Sequence, residues 1–560
     1  MKDVTNSSRP FKSSSNKGRF IAYLIWLAVM GVYYYLFLPP LNYASFAFWV
    51  FLGWLFIGSL VIELLFDTFK QGGIVWQTEG TLFKKKIKIK VENKGTFPKK
   101  YRLFLEAFGI LVVFYVGVQL ICSPLFMADQ FAHMIDVQTK DFKEDFPETN
   151  VNQIPLIDRD TAILLGNRRL GELSEIVSQF EAASDYTQIN IQGRPYRVSP
   201  LEYAGFFKWL NNYKEGIPNY IQVDMVSGET QLIDLPEKMK YTNDDLLNRN
   251  AKRRLRFKYP FALFGHPSFE VDDTGHPYYV ATTYRKRFIF KEPEVNGVVL
   301  LDAVSGQTQF YDIKDAPHWI DRVYSSDLIL HQLQMNGLYK GGFWNSKFSK
   351  TGVTKPTEGY NYLPINNDIY LYTGVTSVVS DASNIGFVLV NMRTKEAKMY
   401  PLTAAEEYSA MKSAEGSVQE KGYKATFPLL INLTGQPLYI LSLKDQAGLI
   451  KQYALIDVAN YQNVLIANSV GELIRQYGKA KHITFKEVHD QGELKEIQGQ
   501  ADQIQAVVKD GNTVYYLKIG NVIYQVPIQL NDELPFLVPH TSVKLQVAQD
   551  GKVEKMDLLK

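Results

Sequence analysis

Three long apolar runs open the chain. Phe20–Leu38 carries no charge, Ala44–Phe66 carries only Glu63, and Leu103–Met127 carries only Glu106, close to its start. Each is long enough to cross the roughly 30 Å hydrocarbon core of a bilayer as a helix, so the pattern predicts three N-terminal transmembrane helices within residues 20–127. Pro39-Pro40 breaks the first run from the second and makes the two a helical hairpin. A second span follows the first at once, with no small-residue cleavage site between them, so the first run does not read as a signal peptide. Between the second and third runs, Gly80–Phe97 alternates Lys with Ile and Val before Glu92-Asn93-Lys94-Gly95, the pattern of a small hairpin with one basic face. Ala128–Glu148 then predicts a polar, amphipathic helix, the beginning of a stalk over residues 128–185.

From there the hydrophobic period changes to two. Tyr220–Leu232, Gly297–Phe310 and Gly386–Tyr400 align without gaps as an apolar run, an Asp or Asn, a turn and a second strand, and Gln452–Ile466 follows the pattern more loosely. Another strand candidate precedes three of them, starting at Arg194-Pro195-Tyr196, His276-Pro277-Tyr278 and Gln436-Pro437-Leu438. Small sheets of this kind need a helix over their apolar face, and Pro200–Lys214 and Thr403–Glu420 are placed to supply one. The expected fold class is therefore α+β, with tandem modules of a small antiparallel sheet plus helix over residues 186–483. Residues 484–560 alternate more closely around Asp510-Gly511-Asn512 and Gly520-Asn521, which predicts a small C-terminal β-barrel of OB or SH3-like type.

The residues Gly193-Arg194-Pro195-Tyr196, followed by Val223-Asp224 and Ser227-Gly228-Glu229, resemble the PepSY modules of bacterial envelope proteins. The third copy departs from them, with Asn391 and Thr394-Lys395 in the turn. Three spans followed by such repeats are also similar to a group of uncharacterised membrane proteins of Gram-positive bacteria. The resemblance implies a non-catalytic, cystatin-like fold that binds or restrains a partner, and it carries over no catalytic residue.

Charge adds a direction. Of 560 residues, 46% are hydrophobic and 21% charged, a composition that folds. Residues 1–102 hold 15 Lys and Arg against 5 Asp and Glu, whereas the remainder holds 46 against 53. Residues 1–19 form a basic tail, and the loop 67–102 holds ten of the basic residues. Basic short loops stay in the cytoplasm, so this split predicts a multi-pass cell-membrane protein with a cytoplasmic N-terminus and an extracytoplasmic C-terminal part. Glu63 and Glu106 lie near the same ends of their spans and read as interfacial anchors.

Candidate chemistry is sparse. The lone cysteine, Cys122, excludes intramolecular disulfides and a cysteine-built zinc site, and no cofactor or metal motif is legible. Ser409-Ala410-Met411-Lys412 matches the S-x-x-K of penicillin-binding enzymes, and Lys350-Thr351-Gly352 and Ser380–Asn384 resemble their K-T-G and S-D-N. Those enzymes place the serine motif first, and here the order is reversed. Ser409 and Lys412 are the catalytic candidates nonetheless. Binding candidates are His318, Trp319, Trp344 and Tyr360 in aromatic, glycine-rich loops that can form a carbohydrate or peptide cleft, and Lys252, Arg253, Arg254 and Arg256, a basic patch that can meet a wall polyanion or pair with nearby Asp residues. Gly53, Gly58, Gly109 and Gly117 mark small-residue stripes for helix packing. Together these features predict a membrane-anchored binding or scaffold protein that self-associates and meets the lipid bilayer and another envelope component. A cell-envelope hydrolase or acyltransferase and a subunit of a transport complex are the alternatives, and nucleic acid is excluded by the absence of a basic aromatic face.

Overall fold

The computed structural model describes residues 16–70, 76–79, 86–89, 99–288, 291–482, 495–509, 512–531, 533–547 and 553–559. Helices α1 (Asn16–Phe37) and α2 (Phe46–Lys70) each hold a 21-residue stretch apolar and long enough to cross a membrane. Of the basic loop, β1 (Trp76–Glu79) and β2 (Lys86–Ile89) pair antiparallel, while the Asn93–Gly95 turn and the tail before Asn16 lie outside the described residues.

The third apolar run is not one straight helix. Helix α3 (Lys99–Ile121) stops, α4 (Pro124–Ala132) follows, and the apolar stretch from Glu106 bends by 53° between them. The cause is local: Pro124 has no amide hydrogen and forces Ser123 into an extended conformation at φ −86°, ψ 161°. Two helices thus meet the criterion for a span outright, and a third does so only if the bent pair crosses as one.

Residues 128–185 do not stand apart as a stalk. Strand β3 (Val137–Thr139), α5 (Phe142–Asp145), α6 (Arg159–Gly171) and α7 (Ser174–Val177) run along the sheets, and Phe131, Ile135, Phe142, Phe146, Ile154 and Leu156 are buried among them. Their apolar residues recur without a helical period, which suits a strap lying in a groove better than a free helix.

Four sheets follow, each built to one plan. In the first, β4 (Phe180–Ala182) and β5 (Thr187–Ile191) both pair with β6 (Arg194–Tyr203), which leads through α8 (Phe206–Asn212) to β7 (Ile217–Asp224) and β8 (Thr230–Met239). Pro200–Tyr203, expected in a helix, continues β6 instead. After α9 (Ala251–Lys258), the second sheet sets β9 (Leu263–Phe264) and β10 (Ser268–Val271) on β11 (Pro277–Arg287), then β12 (Glu292–Asp302) and β13 (Thr308–Asp312). Helices α10 (Ser326–Tyr339) and α11 (Phe343–Lys347) precede the third, where β14 (Thr354–Pro356) and β15 (Asn361–Ile365) pair with β16 (Asp368–Ser377), followed by β17 (Ser380–Asn391) and β18 (Ala397–Ala405). Here β3 is added parallel to β18. Beyond α12 (Glu407–Ser417), the fourth sheet has β19 (Lys424–Ala425) and β20 (Leu429–Leu433) on β21 (Gln436–Lys444), then β22 (Ile450–Asp457), β23 (Val464–Ala467) and α13 (Val470–Lys481).

The register repeats as well. Tyr196 stands opposite Asp224, Tyr278 opposite Asp302, Tyr370 opposite Asn391 and Leu438 opposite Asp457. Each of those four Asx residues then turns the chain by accepting two backbone N–H bonds, from Val226 and Ser227, Val304 and Ser305, Arg393 and Thr394, and Ala459 and Asn460. The position that closes the turn has a positive φ in the first three copies, met by Gly228, Gly306 and Lys395.

Packing explains why β12 and β17 read as unbroken apolar runs. Tyr279, Val299 and Leu301 face the core shared with the first sheet, while Val280, Val298 and Leu300 face the core shared with the third. In the third sheet, Ile369, Val388 and Val390 face the second sheet, and Tyr372, Phe387 and Leu389 face the fourth. The pile is a fan, since β5 also contacts β16 past the edge of the second sheet. At the C-terminus, β24 (Lys495–Gln500), β28 (Ser542–Val547) and β29 (Val553–Leu558) form one three-stranded sheet, and β25 (Gln503–Lys509), β26 (Asn512–Ile519) and β27 (Val522–Pro527) form another. They share a core around Leu517, Val526, Val543 and Leu545. No ladder joins them among the described residues, so the expected closed barrel is not found.

Candidate functional site

Where the inner edges of the first three sheets meet, the interior becomes polar. Glu270 of β10 is fully buried; Ser268 Oγ donates to its Oε1 at 2.9 Å, and its Oε2 has no partner. Burial pushes the Glu270 carboxyl up to about 7. Asp321, also buried, accepts the Asn190 backbone N–H of β5, and burial holds its carboxyl well above the usual range. Arg322 donates to the Tyr362 hydroxyl at 2.8 Å and lies 4.8 Å over that ring, within electrostatic reach of Glu270. Gln188, one strand residue from buried Asn190 on the same side, leaves both side-chain polar atoms without protein partners. This is a charge-bearing hub that pins three sheets together. A second buried acid, Glu407 of α12, accepts from Asn384 at 3.1 Å and is also raised by burial; a Cβ on the facing Gly374 would collide with it.

The second feature joins the sheets to the apolar hairpin. Arg253 Nε donates to the Tyr35 carbonyl at 3.3 Å with its guanidinium 4.2 Å over the Tyr35 ring, and Arg256 Nε donates to the Leu38 carbonyl at 3.1 Å. These carbonyls lie at or just beyond the last turn of α1, where an α-helix leaves acceptors unmatched and carries partial negative charge. The Leu41 N–H donates to the Pro260 carbonyl at 2.8 Å, and Asn42 Nδ2 to the Phe261 carbonyl at 2.8 Å. Arg256 is 4% exposed, and burial lowers its pKa to about 10. A groove of about 630 Å³ runs along this seam, lined in part by Asn42, Tyr43, Phe261, Arg285, Lys286 and Phe310.

The basic patch is therefore divided. Arg253 and Arg256 hold α1, Arg254 donates to the Gly306 carbonyl at 3.1 Å, and Lys252 is exposed. Among the described residues, none of these four is ion-paired with Asp244, Asp245 or Asp272. His318 Nδ1 lies 3.1 Å from Arg393, and Trp319 packs on Tyr278 with centroids 5.0 Å apart. The Tyr360 hydroxyl accepts from Ser326 at 3.1 Å, at the rim of the hub, whereas Trp344 stands 64% exposed on α11, away from these three. The aromatic loops thus do not converge on one cleft.

Nor do the serine motifs assemble. Ser409 is half-buried, its N–H bound to the Glu406 carbonyl; Lys412 is exposed; Lys350 belongs to the turn after α11. No hydrogen bond or ion pair joins the three among the described residues. A Cβ on Gly58 would run into the Trp26 indole, so this glycine packs α1 on α2, whereas Gly53, Gly109 and Gly117 face open space. No group of three or more His, Cys, Asp or Glu side chains is placed to hold a metal ion among the described residues.

Glu270, Gln188 and Glu407 are the residues that pattern reading passed over. A charge inside Phe269-Glu270-Val271, in a strand preceding an apolar repeat, is the signal that points to the first of them.

No known family and no curated protein matches the chain. Among solved structures, a GDP-Man-dependent mannosyltransferase from Leishmania mexicana is similar at 7% identity with a TM-score of 0.15, over 63% of this chain and 87% of that one. An ACO/RPE65 chimera is similar at 7% identity with a TM-score of 0.12, over 51% of each chain. Likenesses this slight carry no argument about fold or activity.

Proposed function

We propose that this chain is a membrane-anchored binding or scaffold protein of the bacterial cell envelope, in which the four-sheet fan, with PepSY-like character in its repeats, is presented on the extracytoplasmic side and the protein self-associates. In this reading the third span is Leu103–Met127, α3 with the first turn of α4, the basic loop stays in the cytoplasm, and the protein acts by holding a partner and not by chemistry. The observation that carries it is the clamp: two guanidinium groups of α9 cap the end of α1, so the fan is fixed to the apolar hairpin and is not tethered by a flexible stalk. A rigid mount of this sort suits a platform whose orientation to the bilayer matters. The open faces at Gly109 and Gly117 support the self-association part of the proposal.

Cross-linking in intact cells followed by purification in mild detergent tests it. A defined protein or second copy should be captured by the intact chain and lost when Arg253 and Arg256 are both replaced by Met. Capture independent of the clamp would remove the argument. Reporters fused after residues 90 and 140 test the topology: the first should be inside and the second outside, and labelling of a cysteine at position 90 by an impermeant reagent in intact cells would overturn it.

A further inference from the structure

We propose that the underside of the fan carries two aromatic aprons that lie in the headgroup layer of the same bilayer that α1 and α2 enter. The proposal rests on the membrane reading of that hairpin and adds a contact surface to it. The first apron is Phe207, Leu247, Phe257 and Phe261, exposed by 76, 60, 51 and 66%. Isolated exposed apolar side chains are ordinary, but a contiguous group marks a contact surface. Three of them are joined to the hairpin or to the arginine that caps it. The Phe257 ring lies 6.1 and 6.2 Å from Tyr34 and Tyr35 in the last turn of α1, and the Phe261 carbonyl is bound by Asn42 of the α1–α2 linker. The Leu247 carbonyl accepts from the same Arg253 that covers Tyr35. Phe207 sits on α8, tied to the neighbouring loop by the Trp209 Nε1 bond to Asp245 at 2.6 Å.

The second apron forms beside the other apolar helix. Trp344 of α11 and Phe348 just after it stack at 5.8 Å and are 64 and 75% exposed, and Phe126 of α4 is 65% exposed. Through Phe343 and Tyr339 the ring stack of Trp344 and Phe348 reaches Phe131 of α4, which follows α3 after the bend. Both aprons therefore adjoin the places where apolar helices end, and any occupant reaching Phe257 or Phe261 must share that space with lipid headgroups. Lys252, Lys258, Lys347 and Lys350 are exposed on the same helices or directly after them. Aromatic rings with flanking lysines are the composition of a bilayer interface, where rings settle among headgroups and ammonium groups meet lipid phosphate. The occupant is thus the bilayer itself.

The experiment uses the full chain with Cys122→Ser as background and single cysteines introduced as Phe207→Cys, Phe257→Cys, Trp344→Cys or Phe348→Cys, each labelled with an environment-sensitive fluorophore. The protein is reconstituted in nanodiscs of phosphatidylcholine and phosphatidylglycerol containing lipid with a nitroxide near the headgroup. Leu27→Cys, in the middle of α1, and Tyr461→Cys, on the turn of the fourth sheet, serve as references. Apron labels should be quenched severalfold more than the Tyr461 label, with the Leu27 label also quenched by a deep nitroxide. If Leu27 is quenched and the apron positions match Tyr461, the aprons are refuted and the membrane reading stands. If Leu27 is not quenched, the membrane reading falls and takes the aprons with it. A blue-shifted apron label without lipid quenching means that protein covers the surface, which also overturns the proposal.

Discussion

Arg322 donates to the Tyr362 hydroxyl and lies within electrostatic reach of Glu270, an acid that burial keeps from ionising freely. Its loss leaves the buried Tyr362 hydroxyl without its charged donor, which costs about 1–3 kcal/mol. Arg322→Met should therefore lower the unfolding free energy by about 1–3 kcal/mol, whereas Lys252→Met, exposed on α9, should change it by less than about 0.5 kcal/mol. Denaturant titration in detergent checks the pair, and equal losses would remove Arg322 from this role. Glu270 adds a pH dependence. Its folded pKa of about 7 lies above the unfolded value, so the folded state holds the proton more tightly and stability falls as pH rises toward 7. Glu270→Gln, still facing Asp321, Arg322 and Ser268, should lose that component: its melting temperature should drop less than the parent's between pH 5 and 7, with the two curves parallel above about 7.5. Parallel curves throughout would show that Glu270 does not titrate there.

The turn that closes the long hairpins is one device used four times, and its copies differ in a measurable way. Gly228 and Gly306 both need positive φ, at 74° and 72°. A Cβ at 228 would meet only the ends of Ile157 and Leu165 at ordinary contact distance, whereas at 306 it would strike the Tyr241 ring. Gly228→Ala should cost about 1 kcal/mol from backbone strain alone, and Gly306→Ala clearly more; thermal unfolding of both variants decides, and equal costs would refute the steric difference. These hairpins were legible because everything that specifies them is local: alternation, then Asp or Asn, then a turn residue that tolerates left-handed backbone. The split first strands and the break at Ser123-Pro124 are local as well, but a two-residue strand such as Leu263–Phe264 leaves too short a pattern, and a long apolar run masks one proline. The strap at 128–185 was not legible at all, since its burial depends on partners such as Ser442, whose Oγ bonds the Leu156 carbonyl from 286 positions away. Of the site, the loop holding Asp321 and Arg322 stood out by composition, while its partners on β5 and β10 did not.

At the scale of the whole molecule, the clamp and the fan set how the protein moves. With Arg253 and Arg256 in place, spin labels on α1 and the second sheet should give one narrow distance distribution; the double Met variant should broaden it while the melting temperature of the fan holds, and an unchanged distribution would show the hairpin to be held by other contacts. Gly117→Leu tests self-association: the parent should show a multiple of the 64.0 kDa chain mass in mild detergent, reduced in the variant if the helices carry the contact, and a single-chain mass for the parent would end the proposal. The strap has a further consequence, in time. Val137–Thr139 pairs with β18, Asp145 meets Tyr400 and Lys398, and Asp158 meets Lys444, so the stretch made just after the apolar helices belongs with the third and fourth sheets, made long after it. At roughly 5–20 residues per second, its partners emerge on the order of tens of seconds later. Until then its buried phenylalanines stay exposed, and the strap is the stretch of the nascent chain most prone to stick to other copies.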